Sequence, residues 1–289
     1  MATAVICEFN PFHNGHKYLL ESAKNVLKEP VIAIMSGSFT QRGEVAVCDK
    51  FVRAKSALEN GADLVLEMPV VFSLSGAEGF AKAGVAIASA FDCINHLAFG
   101  SESGDCELLK KSANAVCDER VQALVRDGMK NGGYYPHELE NAVKTVFGDE
   151  ISSVLCEPNN ILGVEYIKAL NGTGVEPFSV ARTGAAHDSQ IAGEGFASAS
   201  HIREMLRNGE NAKKYAPYIP DEITFPENLD RPLLYRLRTM TRENIAKLPD
   251  VGEGLENRIA DAAVRCSTSS EIADLVKTCL LYTSPSPRD

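Results

Sequence analysis

No apolar run in this sequence is long enough to cross a lipid bilayer, which takes about 20 consecutive apolar residues. The best candidate, Ala77–Phe99, is interrupted by four polar residues, Glu78, Lys82, Asp92 and His96. The N-terminus also lacks a basic segment followed by an apolar core, since its first apolar run is only Ala4–Cys7. These absences exclude a helical membrane protein, and we expect a soluble, cytoplasmic protein with no membrane partner.

The eight cysteines include no Cys-x-x-Cys pair. Structural zinc sites usually take ligands at such short spacings, and disulfides persist mainly in exported chains. We therefore expect reduced thiols, mostly buried, and no metal ion held by the protein alone.

The chain is acidic, with a formal net charge of −10. This charge excludes a surface that is basic throughout, but it leaves room for a local basic face that binds RNA. Hydrophobic residues make up 45% of the chain and charged residues 24%, so a packed globular core is expected.

The first hundred residues alternate between short apolar runs and segments of helical periodicity. The apolar runs predict four strands, at Ala4–Phe9, Val31–Met35, Leu64–Leu66 and Ile94–Phe99. The segments between them predict helices over Lys17–Lys28, Asp49–Asn60 and Gly76–Ala90. This alternation indicates an α/β fold with a doubly wound parallel sheet, in which ligands bind beyond the carboxyl ends of the strands.

Helical periodicity dominates from Asp105 onward. It covers Asp105–Leu170 with a break at Gly132–Pro136, and a fifth strand is predicted at Pro177–Ala181, before a helix from Ser200 to Leu206. Two longer helices, Leu229–Lys247 and Leu255–Val276, predict a smaller C-terminal helical unit. We place the sheet domain at residues 1–210, the helical unit at 211–278 and a tail at 279–289. The last nine residues, LYTSPSPRD, resemble translated sequencing-adapter DNA and are expected to be non-native and disordered.

The most informative segment is Glu8–His16, EFNPFHNGH, which follows the first predicted strand and opens the first helix. A helix start offers free N–H groups and the positive end of the helix dipole, and Gly15 lets the backbone approach an anion. His13 and His16 can both donate hydrogen bonds to one phosphate as its charge grows during in-line attack. The pattern predicts an ATP-using nucleotidyltransferase of the HxGH type. The alternatives are a chance tetrapeptide and metal ligation by the two histidines, for which no third ligand has a suitable spacing.

A second anion site is predicted at Ala197–Arg203, ASASHIR. Hydroxyl and N–H groups at a helix start, followed one turn later by an arginine, suit phosphate oxygens. Ser200 is the predicted N-cap of this helix. Alone, the segment is more typical of an ordinary capped helix, but after an upstream HxGH it is similar to the second signature of HxGH nucleotidyltransferases.

Seven strings occur in a fixed order: CEFNPFHNGH, MSGSFTQRGE, GADLVLEMP, FGSE, PNNILGVEYIKAL, RTGAAHD and SASHIR. Together they resemble the bacterial tRNA(Met) cytidine acetate ligase family, from the N-terminus to about Lys277. The resemblance implies that ATP and acetate give acetyl-adenylate and pyrophosphate. The acetyl group then passes to the exocyclic amine of the wobble cytidine of elongator tRNA(Met), giving N4-acetylcytidine. It implies no DNA partner.

The resemblance also implies site residues. The first loop would bind ATP through Cys7, Glu8, Phe9, Asn10, Pro11, Phe12, His13, Asn14, Gly15 and His16. Ser198 and Ser200 would join them, and His13, His16 and Arg203 would be catalytic, with Arg203 on the leaving pyrophosphate. Mg²⁺ is expected on the substrate phosphates, because no carboxylate cage is evident.

Four further residues are expected near the nucleotide. Gly100 would lie where any side chain clashes with it. Asn159 and Asn160 would read the adenine or ribose, or would simply cap the following helix, and Arg182 would reach the phosphates or the acyl-adenylate. The co-substrate is expected beyond the second strand, near Gln41, Arg42, Asp49 and Lys50.

Two other functions are open at this point. Adenylation of a phosphorylated cofactor precursor would use the same HxGH core, although the extra helices at Asp105–Leu170 and Leu229–Val276 argue against it. A non-catalytic nucleotide- or RNA-binding module would not need His13, His16 and Arg203. The resemblance further implies a basic helical tail that helps to bind tRNA, and here the adapter-like residues stand in its place.

Overall fold

The computed structural model describes residues 1–182, 195–249, 251–252 and 254–277. The predicted tail at 279–289 and most of the RTGAAHD string lie outside these ranges. The described strands are β1 Ala2–Cys7, β2 Val31–Ser36, β3 Leu64–Met68, β4 Ile94–Ser101 and β5 Glu176–Ala181.

Fourteen α-helices lie in the described ranges. Those before residue 210 are α1 Asn14–Leu27, α2 Lys50–Glu59, α3 Val70–Ser73, α4 Ala77–Ser89, α5 Cys106–Cys117, α6 Glu119–Lys130, α7 Tyr135–Phe147, α8 Asp149–Ser153, α9 Pro158–Leu170 and α10 Ala199–Arg207. Those after it are α11 Asp230–Thr239, α12 Arg242–Ile245, α13 Leu255–Arg265 and α14 Ser269–Val276. None of these helices combines the length and the apolar character that a membrane span requires.

The five strands form one parallel sheet in the order β3-β2-β1-β4-β5. The chain winds outward from β1 to β3 and then returns to the other side of β1 with β4. The predicted doubly wound parallel sheet is thus confirmed. Its topological switch point lies between the carboxyl ends of β1 and β4, where the connections diverge and leave a crevice.

Helices cover both faces of the sheet. Val5 of β1 packs into a core with residues of α1 and α2, whereas its neighbour Ile6 packs into a second core with α4, α5 and α9. Gly84 brings α4 close to the sheet, because a Cβ at that position would overlap the Ile6 side chain. Since β1 and β2 are buried along their whole length, the floor of the crevice is rigid.

The first compact unit extends to Ile223, rather than ending near residue 210. Ala212 and Ala216 pack against Ile202 of α10, so the segment after α10 belongs to the same core. The second unit begins at Thr224. Its own core joins Leu234 of α11 to residues of α13 and α14.

The two long helices predicted for the second unit are wrong in extent, because each is divided by a hydroxyl cap. Thr241 accepts the N–H of Asn244 and starts α12, and Thr268 accepts the N–H of Glu271 and starts α14. A threonine hydroxyl competes with the helical backbone for such donors, so it marks a start inside an otherwise periodic segment.

The cysteines are less buried than predicted. The seven cysteines in the described ranges are free thiols, and of these only Cys7, Cys48 and Cys266 are buried. Cys93, Cys117 and Cys156 are exposed because they lie just before a strand, at a helix end and in a short turn.

Candidate active site

A cleft opens at the switch point, above the carboxyl ends of β1 and β4. It has two lobes, which share a wall that includes Cys7, Glu8, Phe9, His13, His16, Asn159, Arg182 and Ser198. The β4 lobe, with a volume of about 160 Å³, adds Gly15, Tyr18, Leu19, Phe99, Gly100 and Phe196. The β2 lobe, of about 230 Å³, adds Asn10, Thr40, Gln41, Arg42, Ser200 and Arg203. One lobe is therefore mostly apolar and the other mostly polar.

The imidazole rings of His13 and His16 lie at the N-terminus of α1, between the two lobes. His13 is the N-cap residue, and its Nδ1 accepts the N–H of Gly15 at 3.0 Å. Nδ1 of His16 accepts the N–H of His13 at 3.3 Å, and the two rings stack with centroids 3.7 Å apart. Because each Nδ1 accepts a hydrogen bond, each neutral ring carries its proton on Nε2. The cleft therefore has two imidazole N–H donors with a fixed tautomer.

Both rings are neutral at physiological pH. Burial, followed by the charges of Arg182 and Arg203, lowers the pKa of His13 from 6.5 to about 3. Burial, followed by His13 and Arg182, lowers the pKa of His16 well below its usual value. The positive charge of the cleft therefore comes from the arginines, and the histidines act as hydrogen-bond donors.

Acidification is expected to destabilise the protein through His13. Its ring is neutral in the folded state down to a pKa of about 3, whereas the unfolded chain binds a proton below pH 6.5. Stability from this group is therefore complete well above pH 6.5 and falls as the pH is lowered toward 3, by about 2.7 kcal/mol at pH 4.5. Urea unfolding of the wild type and of His13→Asn, at pH 7 and pH 4.5, measures the effect. Asparagine retains an N-cap without a titratable ring, so parallel losses in the two proteins would contradict the expectation.

Aromatic packing shapes the turn before α1. Phe9 is fully buried with φ of +50°, a left-handed conformation that is uncommon outside glycine. Its ring contacts those of Phe12 and His16, with centroids 5.0 and 4.9 Å away. Asn10 lines the β2 lobe, but its Oδ1 accepts the N–H of Val47 at 2.7 Å. Phe9 and Asn10 thus hold the turn in shape as well as lining the cleft.

Three predicted ATP-binding residues of this loop, Pro11, Phe12 and Asn14, lie outside the cleft walls. Phe12 is buried against Phe9. The amide of Asn14 donates to the carbonyl oxygens of Gly195 and Lys214, at 2.7 and 3.1 Å. These residues therefore support the loop from behind.

Gly15 is needed for a reason that the sequence did not reveal. A Cβ at this position would lie 2.8 Å from Cε1 of His13. The absence of a side chain therefore lets the His13 ring fold back over the first turn of α1, where its Nδ1 accepts the N–H of Gly15.

The segment Ser198–Arg203 meets the first loop across 193 residues of sequence. Nη1 of Arg203 donates to the backbone oxygen of Asn10 at 2.8 Å, which brings the two predicted anion sites together. Ser198, rather than the predicted Ser200, caps α10 by accepting the N–H of His201 at 3.1 Å. Ser200 instead accepts a hydrogen bond from Nη2 of Arg203 at 3.3 Å, because the two residues lie three positions apart on the same face of α10.

Gly100 and Arg182 line the cleft at the ends of β4 and β5. A Cβ on Gly100 would come no closer than 3.5 Å to Arg182 Cγ, so the protein itself leaves room for a Cβ there. Asn159 also lines the cleft, but its Nδ2 donates to Glu102 at 2.6 Å. Asn160 is buried outside the cleft, where its Oδ1 accepts the N–H of Ser103, so it anchors the end of β4.

Sequence reasoning missed Arg53, the largest fully buried side chain among the described residues. Its guanidinium lies beneath the cleft and donates to four backbone carbonyls, those of Glu8, Ser36, Gly37 and Cys48. An arginine on the apolar face of α2, beside Ala57, was the available signal. Of the residues expected beyond β2, Gln41 and Arg42 line the β2 lobe. Asp49 caps α2 and Lys50 pairs with Glu67 at 2.7 Å, so neither lines the cleft.

Within the part of the chain that the structure describes, no three His, Cys, Asp or Glu side chains cluster as a metal-binding group would. The only carboxylates on the described cleft walls are those of Glu8 and Glu44. The cleft is therefore equipped for anions, with arginine side chains, imidazole donors and the N-terminus of α10. The free N–H groups predicted at the start of α1 are not available, because those of Asn14, Gly15 and His16 are bonded to Tyr215 and His13.

Comparison with known proteins identifies the family. The model of the HIGH Nucleotidyl Transferase family matches residues 1–284. The tRNA(Met) cytidine acetate ligase of Caldanaerobacter subterraneus subsp. tengcongensis is 40% identical over an alignment that is 298 residues long with its gaps. The alignment covers 96% of this chain and 72% of that protein. The protein of the same name from Clostridium tetani is 35% identical, with 96% and 74% covered.

A solved structure agrees with this assignment. The crystal structure of Thermotoga maritima TmcAL bound with alpha-thio ATP matches the present structure with a TM-score of 0.85 and 31% identity, covering 98% of this chain and 74% of that one. The resemblance found in the sequence is thereby confirmed: the chain belongs to the HIGH nucleotidyl transferase family and, within it, to the tRNA(Met) cytidine acetate ligases.

Proposed function

We propose that this chain activates acetate with ATP and transfers the acetyl group to the wobble cytidine of elongator tRNA(Met), in the cytoplasm. The observation that carries the proposal is the meeting of two fixed imidazole donors on α1 with Arg203 of α10, in a cleft at the switch point. In the first step an acetate oxygen attacks the α-phosphorus. A new P–O bond forms, the bond to pyrophosphate breaks, and acetyl-adenylate remains.

The residues divide this work by chemistry. Nε2–H of His13 and of His16 donate to the α-phosphate oxygens, whose charge grows during the attack. Arg182 and Arg203, together with the N-terminus of α10, neutralise the departing pyrophosphate. Tyr18, Leu19, Phe99 and Phe196 give the β4 lobe apolar walls that suit an adenine ring.

Mg²⁺ fits this cleft as a companion of ATP. The two carboxylates on the described walls do not form a cage, and Mg²⁺ commonly keeps several waters and binds substrate phosphates. Bound in this way, it would offset phosphate charge.

In the second step the cytidine amine attacks the acetyl carbonyl carbon. A C–N bond forms, the bond between the acyl carbon and the phosphate oxygen breaks, and AMP leaves.

Two assays on the purified chain test the function. Exchange of labelled pyrophosphate into ATP should require acetate, and mass spectrometry of an elongator tRNA(Met) transcript should reveal N4-acetylcytidine only when ATP and acetate are both present. Absence of acetate-dependent exchange would reject the proposal. Adenylation of nicotinamide mononucleotide or phosphopantetheine in a parallel panel would favour the cofactor-precursor alternative instead.

Placing a side chain on Gly100 should block the nucleotide while sparing the fold. Gly100→Val is expected to raise the Kd for ATP by about 10-fold or more, because the added methyl groups enter the β4 lobe. Calorimetric titration with ATP measures this, and thermal unfolding checks the fold. Gly252→Val is the matched control, since a Cβ there meets nothing within 4 Å. Equal ATP affinity in the Gly100→Val variant would place the nucleotide elsewhere.

A further inference from the structure

Two polar groups in the β2 lobe have unused hydrogen-bonding capacity. Glu8 extends from the end of β1 into the wall shared by both lobes, and its Oε1 accepts the backbone N–H of Gln41 at 2.6 Å. Its other oxygen, Oε2, has no hydrogen-bond partner among the described residues. The side-chain Nε2 of Gln41 is buried and likewise has no partner within the described ranges.

The unpaired buried amide of Gln41 is unusual in a folded protein. A buried amide without a partner destabilises the folded state by about 1–3 kcal/mol relative to a paired one, so most are satisfied. Here an unused acceptor and an unused donor lie on one wall, held together by the Glu8–Gln41 backbone hydrogen bond. The arrangement points to a ligand that presents a donor beside an acceptor.

The charges around Glu8 narrow the choice of ligand. Burial raises the pKa of its carboxyl, and the hydrogen bond from Gln41 and the nearby positive charge of Arg203 oppose that shift. The carboxylate is therefore a stronger base than one in water, while remaining unpaired by any ion pair among the described residues. A free carboxylate repels phosphate, so this corner of the cleft is better suited to an amine than to the triphosphate.

We propose that Glu8 and Gln41 receive the amine edge of the acceptor cytosine, with Glu8 as the base that takes the N4 proton. This inference rests on the proposed function. Cytosine presents the N4 amine as a donor directly beside N3, an acceptor. Oε2 of Glu8 accepts from N4–H, and the Gln41 amide donates to N3.

The reaction balances as follows. The N4 lone pair attacks the acetyl carbon, the bond to the adenylate oxygen breaks, and AMP leaves with that electron pair. The N4 proton ends on Glu8, which later returns it to water. Glu8 is thereby a catalytic residue of the transfer step, and Gln41 a residue that binds the base and sets its orientation.

Glu8→Gln tests the base directly. Glutamine keeps an oxygen for the Gln41 backbone N–H but cannot take up a proton. Acetyl-adenylate supplied with the tRNA(Met) transcript bypasses acetate activation, and hydroxamate formed from ATP, acetate and hydroxylamine measures activation separately. We expect the ratio of transfer to hydroxamate formation to fall by about 10²-fold or more, in keeping with the loss of a general base. Glu21→Gln, which removes an exposed carboxylate on α1, is the matched control and should leave the ratio at the wild-type value.

Gln41→Met is the second variant, and it retains the backbone N–H that Glu8 accepts. It should raise the KM for tRNA by about 10-fold with a smaller change in kcat, because one hydrogen bond to the base is lost. If the ratio of transfer to hydroxamate formation in Glu8→Gln equals that of the wild type, the inference is overturned. If thermal unfolding shows that Glu8→Gln does not fold, an unchanged KM in Gln41→Met overturns it. A wild-type chain that transfers nothing from acetyl-adenylate rejects the proposed transfer function itself, whatever the variants do.

Discussion

Replacing His16 with alanine is expected to slow acetate-dependent ATP–pyrophosphate exchange by about 10²- to 10³-fold, the usual effect of removing one donor to a developing oxyanion. The Nε2–H of His16 is fixed before ATP binds, since its Nδ1 accepts the N–H of His13. The affinity for ATP should fall far less than the rate, because the donor matters most when charge grows on the α-phosphate. Exchange rates and calorimetric ATP titration measure the two quantities separately.

His137→Ala is the matched control for this variant. His137 lies on α7 with 66% of its side chain exposed, so its loss should leave the exchange rate as in the wild type. Unchanged exchange in His16→Ala, with ATP still bound, would contradict the role of this ring in the chemical step, whereas a wild-type chain that binds ATP without any exchange would favour the non-catalytic module. Loss of exchange with binding retained would exclude that alternative.

Replacing Arg53 with methionine is expected to lower the free energy of unfolding more than any other substitution considered above. The guanidinium donates to four buried carbonyls at the ends of β1 and β2 and in the loop before α2. Methionine fills a similar volume but leaves those oxygens without donors. We expect the free energy of unfolding to fall by about 3–5 kcal/mol, since each unpaired buried group contributes about 1–3 and some rehydrate. This corresponds to a drop in Tm of roughly 10 °C.

Thermal and urea unfolding of Arg53→Met measure this effect, with Arg126→Met as the matched control. Arg126 lies on the exposed face of α6, so the same exchange there should change Tm little. Equal midpoints for the two variants would show that the carbonyls find other donors. A folded Arg53→Met protein with reduced ATP affinity would further indicate that the guanidinium keeps the cleft floor in place.

Predictions from the sequence were most accurate for features that depend on neighbouring residues. The strands were found because each carries a short continuous apolar run, a pattern that is strongest in β1 and β2, which are buried along their whole length. The first loop was found because strand, turn and helix follow one another directly at Glu8–His16. The caps were harder to place. Ser198 and Ser200 carry the same hydroxyl two residues apart, and only the backbone conformation selects Ser198.

Contacts between residues that are far apart in the sequence could not be predicted from the sequence. Arg53 reaches Glu8 across 45 residues, Gln41 reaches Glu8 across 33, and Arg203 reaches Asn10 across 193. Adjacent residues such as Asn159 and Asn160 have the same chemistry, and they differ only in which one the first turn of α9 directs toward the cleft. Such distinctions depend on tertiary packing, which no local pattern of residues encodes.

The backbone contacts of the two imidazoles have a consequence for acid–base behaviour. A ring whose Nδ1 already accepts a backbone N–H keeps its own proton on Nε2, where it faces the cleft as a donor before a polyanion arrives. The nucleotide thus meets a site whose hydrogen-bonding pattern was settled during folding. A lower pH therefore decreases the fraction of folded protein, whereas each folded molecule keeps the Nε2–H donors of His13 and His16.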